Sequence, residues 1–118
     1  VKIGVQIAKE YVDDEDAFST KIYDVIGAGV GIIESVPAAV SIAYYTQDPN
    51  KCCLMCANLG GDTDTIGAMA TAICGAFVGY SKINPEYTEL LRVQNPETDF
   101  EEYINILEKG RELLGCGR

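Results

Sequence analysis

The chain has no histidine, and that absence removes a large class of chemistry. Catalytic triads built on imidazole and histidine-ligated zinc are both excluded within these 118 residues. Acid–base chemistry here has to come from carboxylates, from a metal-bound water, or from residues outside the chain. Basic residues are also scarce. Nine Lys and Arg stand against 18 Asp and Glu, for a net charge of −9, and the nine are scattered. Binding to nucleic acid needs a clustered positive surface, so nucleic acid is not an expected partner. No apolar run is long enough for a membrane span. Residues 65–81 lack charge, but the stretch is short and rich in Gly and Ala, which predicts a buried helix and no membrane contact. There is no internal repeat and no low-complexity segment.

Five cysteines are present: Cys52, Cys53, Cys56, Cys74 and Cys116. An odd count with two adjacent members does not suit a secreted disulfide framework. Cys52 and Cys56 fall four apart, on one helical face, yet no second Cys-x-x-Cys completes a zinc set. The expectation is buried or partly buried free thiols in a reducing, cytoplasmic setting.

With 47% apolar residues the chain is globular, and its pattern is helical throughout. Val1, Val5, Ala8 and Val12 share one face of a first helix. Asp13 or Asp14 starts a second that turns Ala17, Phe18, Ile22 and Val25 inward, the acidic run Asp13–Asp16 being a solvated helix start. A helix from Glu34 or Ser35 to about Thr46 follows, with Ser35 as its cap and Pro37 in its first turn. Asp48-Pro49-Asn50 is a turn before a Cys52–Leu59 helix that stops at Gly60-Gly61. Residues 65–80 make the strongest helix. Its small face (Ala68, Ala72, Gly75, Ala76, Gly79) suits close packing as a central core helix. Shorter helices follow Asn84-Pro85 and Phe100, and the chain closes on Gly115-Cys116-Gly117-Arg118, read as a frayed tail.

Two segments carry the chemistry. The first is Gly27-Ala28-Gly29-Val30-Gly31. A dinucleotide fingerprint would need glycine at position 32, where Ile32 stands, and no βαβ context surrounds it. A loop that brings its backbone close to a ligand fits better. Just beyond it, Glu34 is the only charge between Asp24 and Asp48. Such a charge needs a partner if buried: loop amides, the neighbourhood of a metal site, or a surface helix cap. The second segment is Asn58-Leu59-Gly60-Gly61-Asp62-Thr63-Asp64-Thr65-Ile66-Gly67. Two carboxylates one residue apart, each followed by a threonine, supply the oxygen ligands that hard cations prefer. Asp64 and Thr65 also stand where they can cap the next helix, whose free N–H groups suit an anion.

The run from Asn58 to Ala76 resembles the C-terminal signature of the ADP-ribosylglycohydrolase family. Gly29-Val30-Gly31-Ile32-Ile33-Glu34-Ser35-Val36-Pro37-Ala38-Ala39 is similar to the glycine-rich loop and Glu-Ser-x-Pro-Ala-Ala helix of that family. Together the matching blocks cover roughly residues 25–80. The resemblance implies an all-α, multi-helical orthogonal bundle of which residues 1–118 form the C-terminal portion. It implies hydrolysis of the glycosidic bond linking ADP-ribose to a protein side chain or small molecule, with two Mg²⁺ ions, or Mn²⁺, in the complete site. Asp62, Asp64 and Thr65 take the place of metal ligands, and Gly29, Val30 and Gly31 that of a substrate-facing loop. The family's N-terminal Thr/Ser-Asp-Asp motif is absent, and Asp13-Asp14 lacks its hydroxyl ligand. The chain also begins at Val1 within an amphipathic pattern. The expectation is a fragment of one domain that is inactive alone, with its general acid or base elsewhere, and whose uncovered apolar surface favours self-association. The alternative within the same resemblance is a non-catalytic relative that binds ADP-ribose or serves a structural role.

Overall fold

The computed structural model describes residues 1–115; Cys116, Gly117 and Arg118, with the tail expected there, lie outside the described residues. The described chain is all-α, as expected. Its helices are α1 (Lys2–Glu10), α2 (Glu15–Lys21), α3 (Ile32–Thr46), α4 (Pro49–Leu59), α5 (Thr63–Val78), α6 (Pro85–Gln94) and α7 (Phe100–Leu113). A π-helical turn, Ile22–Ile26, extends α2, and a 3₁₀ turn, Tyr80–Lys82, follows α5. The chain divides into two units, residues 1–83 and the part from Asn84 onward.

The first unit holds the core. α3 packs against α1, α4, α5 and the π turn, and α4 packs against α5. The helix with the widest buried face is therefore α3, whose Ser35, Ala38, Ala39, Ser41, Ile42 and Ala43 are buried, and not α5. On α5 only Ile66, Ala70 and Cys74 are buried. The small face expected to pack is turned outward: Ala68, Ala72 and Ala76 are exposed, and a Cβ on Gly75 would meet nothing within 4 Å. Phe18, Ile22, Ile42 and Ile66 are fully buried, each contributing about 2 kcal/mol of apolar burial. Close approach of α1 to α3 depends on Gly4, where a Cβ would fall 1.8 Å from Ser41 Oγ. The buried face of α1 is accordingly Gly4, Ile7 and Ala8, while Val1 and Val12 are exposed.

Two departures from the sequence pattern have local causes. A continuous α-helix would carry Val25 inward behind Phe18 and Ile22. The π turn, closed by Gly27 N–H donating to Ile22 O at 3.1 Å, holds more residues per turn. Val25 is thereby 53% exposed, and Ile26 packs on the core instead. α3 begins at Ile32 with Gly31 as its N-cap, so Ser35 does not cap it; Ser35 Oγ donates to Gly31 O at 3.2 Å. Pro37 consequently lies inside the helix, and its missing N–H leaves Ile33 O without that helical donor.

The starts of α2 and α4 are fixed by side-chain caps. Asp14 accepts Ala17 N–H at 2.9 Å, and Asp48 accepts the amides of Asn50 and Lys51 at 2.7 and 3.3 Å. Tyr45 binds the α1–α2 turn to α3: its ring stacks on Phe18 at 3.9 Å between centroids, and its hydroxyl donates to Tyr11 O at 3.1 Å. Lys51 lies 5.5 Å from the centre of the same ring and pairs with Glu15 at 2.6 Å. In the second unit α6 and α7 contain no buried residue; Leu90, Leu91, Tyr103, Ile104 and Leu107 are all exposed. No helix among the described residues is long and apolar enough to cross a membrane.

The Asn50 amide, followed by that of Lys51, holds the Asp48 carboxyl below its ordinary range. A carboxyl depressed in the folded state adds stability above its unfolded pKa of about 3.9, and that stability is lost as pH falls through the lower folded value. Asp48→Ala should lower unfolding free energy by about 1 kcal/mol at pH 7, measured in urea. The difference between mutant and wild type should shrink below about pH 4.

Candidate metal centre

The site is built where two glycine-bearing loops meet. α4 ends at Gly60, and both Gly60 (φ +85°) and Gly61 (φ +71°) lie in the left-handed region that side chains disfavour. This double reversal turns the chain back so that Asp62 becomes the N-cap residue of α5. Opposite it, residues 27–31 link the π turn to α3. Asp62 N–H donates to Ala28 O at 2.7 Å. Gly61 sits so close beneath the same carbonyl that a Cβ there would fall 2.1 Å from the oxygen. The glycine loop and the Asp-x-Asp-Thr block, 34 positions apart in Ala28 and Asp62, are thus in direct main-chain contact.

Asp62 does not behave as an ordinary cap. Its main-chain oxygen accepts the Ile66 amide at 3.1 Å, but its side chain makes no cap hydrogen bond. Asp14, Asp48, Asn84 and Asp99 each spend their side chain on a helix amide. Asp64, in the first turn of α5, accepts the Thr65 amide at 2.8 Å. That amide, then the neighbouring Asp62 side chain, then its own amide hold the Asp64 carboxyl below the usual range. Asp64 and Thr65 are exposed and Asp62 is half-buried, so both carboxyls remain open to a ligand.

The donor set suits a hard, oxygen-binding cation in part. Asp62, Asp64 and Thr65 offer two carboxylates and a hydroxyl on one helix end, which is oxygen chemistry throughout. No group of three or more His, Cys, Asp or Glu among the described residues is arranged to hold a metal ion. For a cation held there, the remaining ligands would be water or groups from beyond these residues.

The lone charge of the glycine segment has a main-chain partner. Glu34, third residue of α3, reaches back and accepts the Gly29 amide at 2.8 Å. Room for its carboxylate exists because positions 27 and 29 carry no side chain; a Cβ would fall 2.5 and 2.7 Å from Oε2. Val30 is 86% exposed, and Gly31 is exposed beside it. Periodicity gave no sign of the π turn, which brings Tyr23 against Gly60; a Cβ at position 60 would lie 3.4 Å from its ring. The Ala28 carbonyl is a main-chain acceptor and likewise carries no sequence signal.

The cysteines stand apart from this site. Cys52, Cys56 and Cys74 are buried and Cys53 is exposed, all as free thiols; Cys116 lies outside the described residues. The Cys52–Cys56 hydrogen bond lowers Cys56 and, with burial, pushes Cys52 far up. They pack α4 on α5, with Cys56 Cβ 3.4 Å from where a Gly67 Cβ would be.

Gly61→Ala places a side chain both at positive φ and against a backbone oxygen. It should destabilise the protein by about 2 kcal/mol or more in urea unfolding. Gly75→Ala, in an open helix interior, should stabilise it by about 0.5–1 kcal/mol.

Comparison with known proteins locates these features in a family. The model of the ADP-ribosylglycohydrolase family matches residues 3–114. The chain is 46% identical over 113 residues to "Uncharacterized protein YegU" of Escherichia coli (strain K12), covering 95% of this chain and 33% of that protein. It is 34% identical over 86 residues to ADP-ribosylhydrolase ARH3 of Xenopus tropicalis, covering 64% of this chain and 25% of that protein. It is 30% identical over 96 residues to ADP-ribosylarginine hydrolase Tri1 of Serratia proteamaculans (strain 568), covering 70% of this chain and 26% of that protein. No solved structure matches the chain. The chain spans about a quarter to a third of the length of these relatives. Both the glycine loop and the Asp62–Thr65 block fall inside the matched residues, and the chain belongs to the ADP-ribosylglycohydrolase family.

Proposed function

We propose that this chain supplies the C-terminal half of the metal site in a Mg²⁺-dependent hydrolase that cleaves the glycosidic bond between ADP-ribose and a protein side chain or small molecule. The observation that carries this reading is that Asp62, the N-cap residue of α5, leaves its side chain out of the cap, with Asp64 in the first turn of the same helix. Both residues stand at the start of α5, where Asp64 is exposed and Asp62 half-buried. Family membership and the names of the hydrolase relatives support the substrate class.

In this reading Asp62, Asp64 and Thr65 hold the cations, and Mn²⁺ is an acceptable substitute for Mg²⁺. Bound divalent cations supply Lewis-acid polarisation and orientation of sugar hydroxyls or water. The chain's own residues do the rest of the positioning. The N-terminus of α5 favours the negative charge of the pair. The contact between Ala28 and Asp62 fixes the distance from the carboxylates to the exposed part of the glycine loop. Val30 and Gly31 then face the substrate, with the Gly29 amide already engaged by Glu34. The general acid or base is assigned to no residue of this chain.

Manganese binding, followed by electron paramagnetic resonance, tests the half-site. The wild-type chain should bind Mn²⁺ weakly, because most ligands are water. Asp62→Asn with Asp64→Asn should weaken binding by about 100-fold or more, beyond the cost of losing an outer partner. Unchanged affinity in the double variant defeats the reading.

Two expectations accompany it. The 118-residue chain alone should show no hydrolysis of ADP-ribosylated peptide, and robust turnover would overturn the half-site assignment. Its exposed apolar residues, among them Ile33, Phe77, Leu107 and Leu113, should drive self-association at high concentration. Sedimentation showing a clean monomer counts against the latter.

A further inference from the structure

We propose that Glu34 is the positioning residue of Asp62, acting through the single peptide unit between Ala28 and Gly29. The carbonyl of that unit accepts Asp62 N–H at 2.7 Å, and its N–H donates to Glu34 Oε2 at 2.8 Å. A peptide group is planar, so fixing the direction of its N–H fixes the direction of its carbonyl. Glu34 therefore sets the acceptor that holds the Asp62 amide, and Asp62 leads α5. Rotating this peptide takes the carbonyl away from Asp62 and frees the start of the carboxylate pair to shift.

Three positions are committed to this arrangement. Glu34 is half-buried in an apolar segment, and it takes no part in the two ion pairs of the described residues, Lys51–Glu15 and Arg92–Glu101. A charge in that setting is costly unless its hydrogen bond is strong, and a carboxylate on an amide is such a bond. Gly27 and Gly29 leave the space that the carboxylate fills. The geometry extends the capping box, in which a glutamate at the third helical position reaches back to the N-cap amide. Here it reaches two residues further, past Gly31, and so serves the loop and not the helix end.

The manganese part of the test rests on the metal reading above; the amide part does not. Exchange of the Asp62 amide with solvent deuterium would be followed by NMR in ¹⁵N-labelled protein, with Ala70, buried on α5, as the internal standard. Glu34→Ala should speed Asp62 exchange by roughly 10-fold or more relative to Ala70. Gly29→Ala, which displaces the carboxylate without removing it, should do the same. Glu34→Gln keeps a neutral acceptor and should restore much of the protection. Manganese affinity should fall by about 10-fold in the first two variants and recover in the third. Asp62 exchange unchanged in Glu34→Ala, or Ala70 exchange raised as much as that of Asp62, overturns the proposal. If the wild type binds no manganese, the metal reading fails, and Glu34 is judged on the Asp62 amide alone.

Discussion

One peptide group joins the two loops on which the site depends. The Ala28–Gly29 unit is held from one side by the Asp62 amide and from the other by the Glu34 carboxylate. Each hydrogen bond is of ordinary length, and each contributes only about 1–3 kcal/mol net. Their importance is geometric. Gly61 carries no Cβ, which would fall 2.1 Å from the Ala28 oxygen, and Gly27 and Gly29 leave the room that the Glu34 carboxylate fills. The close approach then places the exposed part of the glycine loop beside the free end of α5.

The helices make that contact stiff. α3 leads out of the glycine loop, α5 leads out of the Asp62 turn, and the two pack on each other, with Cys74 Sγ 3.7 Å from Ala43 O and Ile42, Ile66 and Ala70 buried in the same core. α4 packs on α5 through the buried thiols and delivers the chain to Gly60. The ends of three helices are therefore fixed by one core. A carboxylate pair at such a junction is held by packing and not by a flexible loop, which is the condition for a well-defined ligand set. The contrast among N-caps follows the same division. Where Asp14, Asp48 and Asp99 begin helices, the side chain is used locally, whereas the Asp62 side chain makes no such bond and its backbone is held from outside its own helix.

Much of this was legible in residue order. Gly60-Gly61 marked the stop of α4, Asp13 or Asp14 marked a helix start, and the helical period marked α3 and α5, because caps and periods are local effects. Glu34 drew attention as a lone charge in an apolar run, though its partner was open between loop amides, a metal and a helix cap. The direction of burial was less legible. Ala68, Ala72, Gly75, Ala76 and Gly79 have the spacing of a packed face, yet α3 and α4 approach α5 from the side of Ile66, Ala70 and Cys74. Val25 fitted the inward stripe until a π turn, which has no periodic signature, rotated it out.

What the sequence by itself determined is the class of structure and the chemistry available to it. An all-α chain without histidine, with an oxygen-rich Asp-x-Asp-Thr block after paired glycines, follows from residue types and their spacing alone. What only the tertiary structure decided is which groups meet. That the Ala28 carbonyl faces the Asp62 amide, that Glu34 spends its charge on Gly29, and that Asp62 leaves its side chain out of the helix cap are all long-range or main-chain facts. Main-chain donors and acceptors are identical at nearly every position, so residue order does not mark them. Only the packing of α3 against α5 selects the ones that come together.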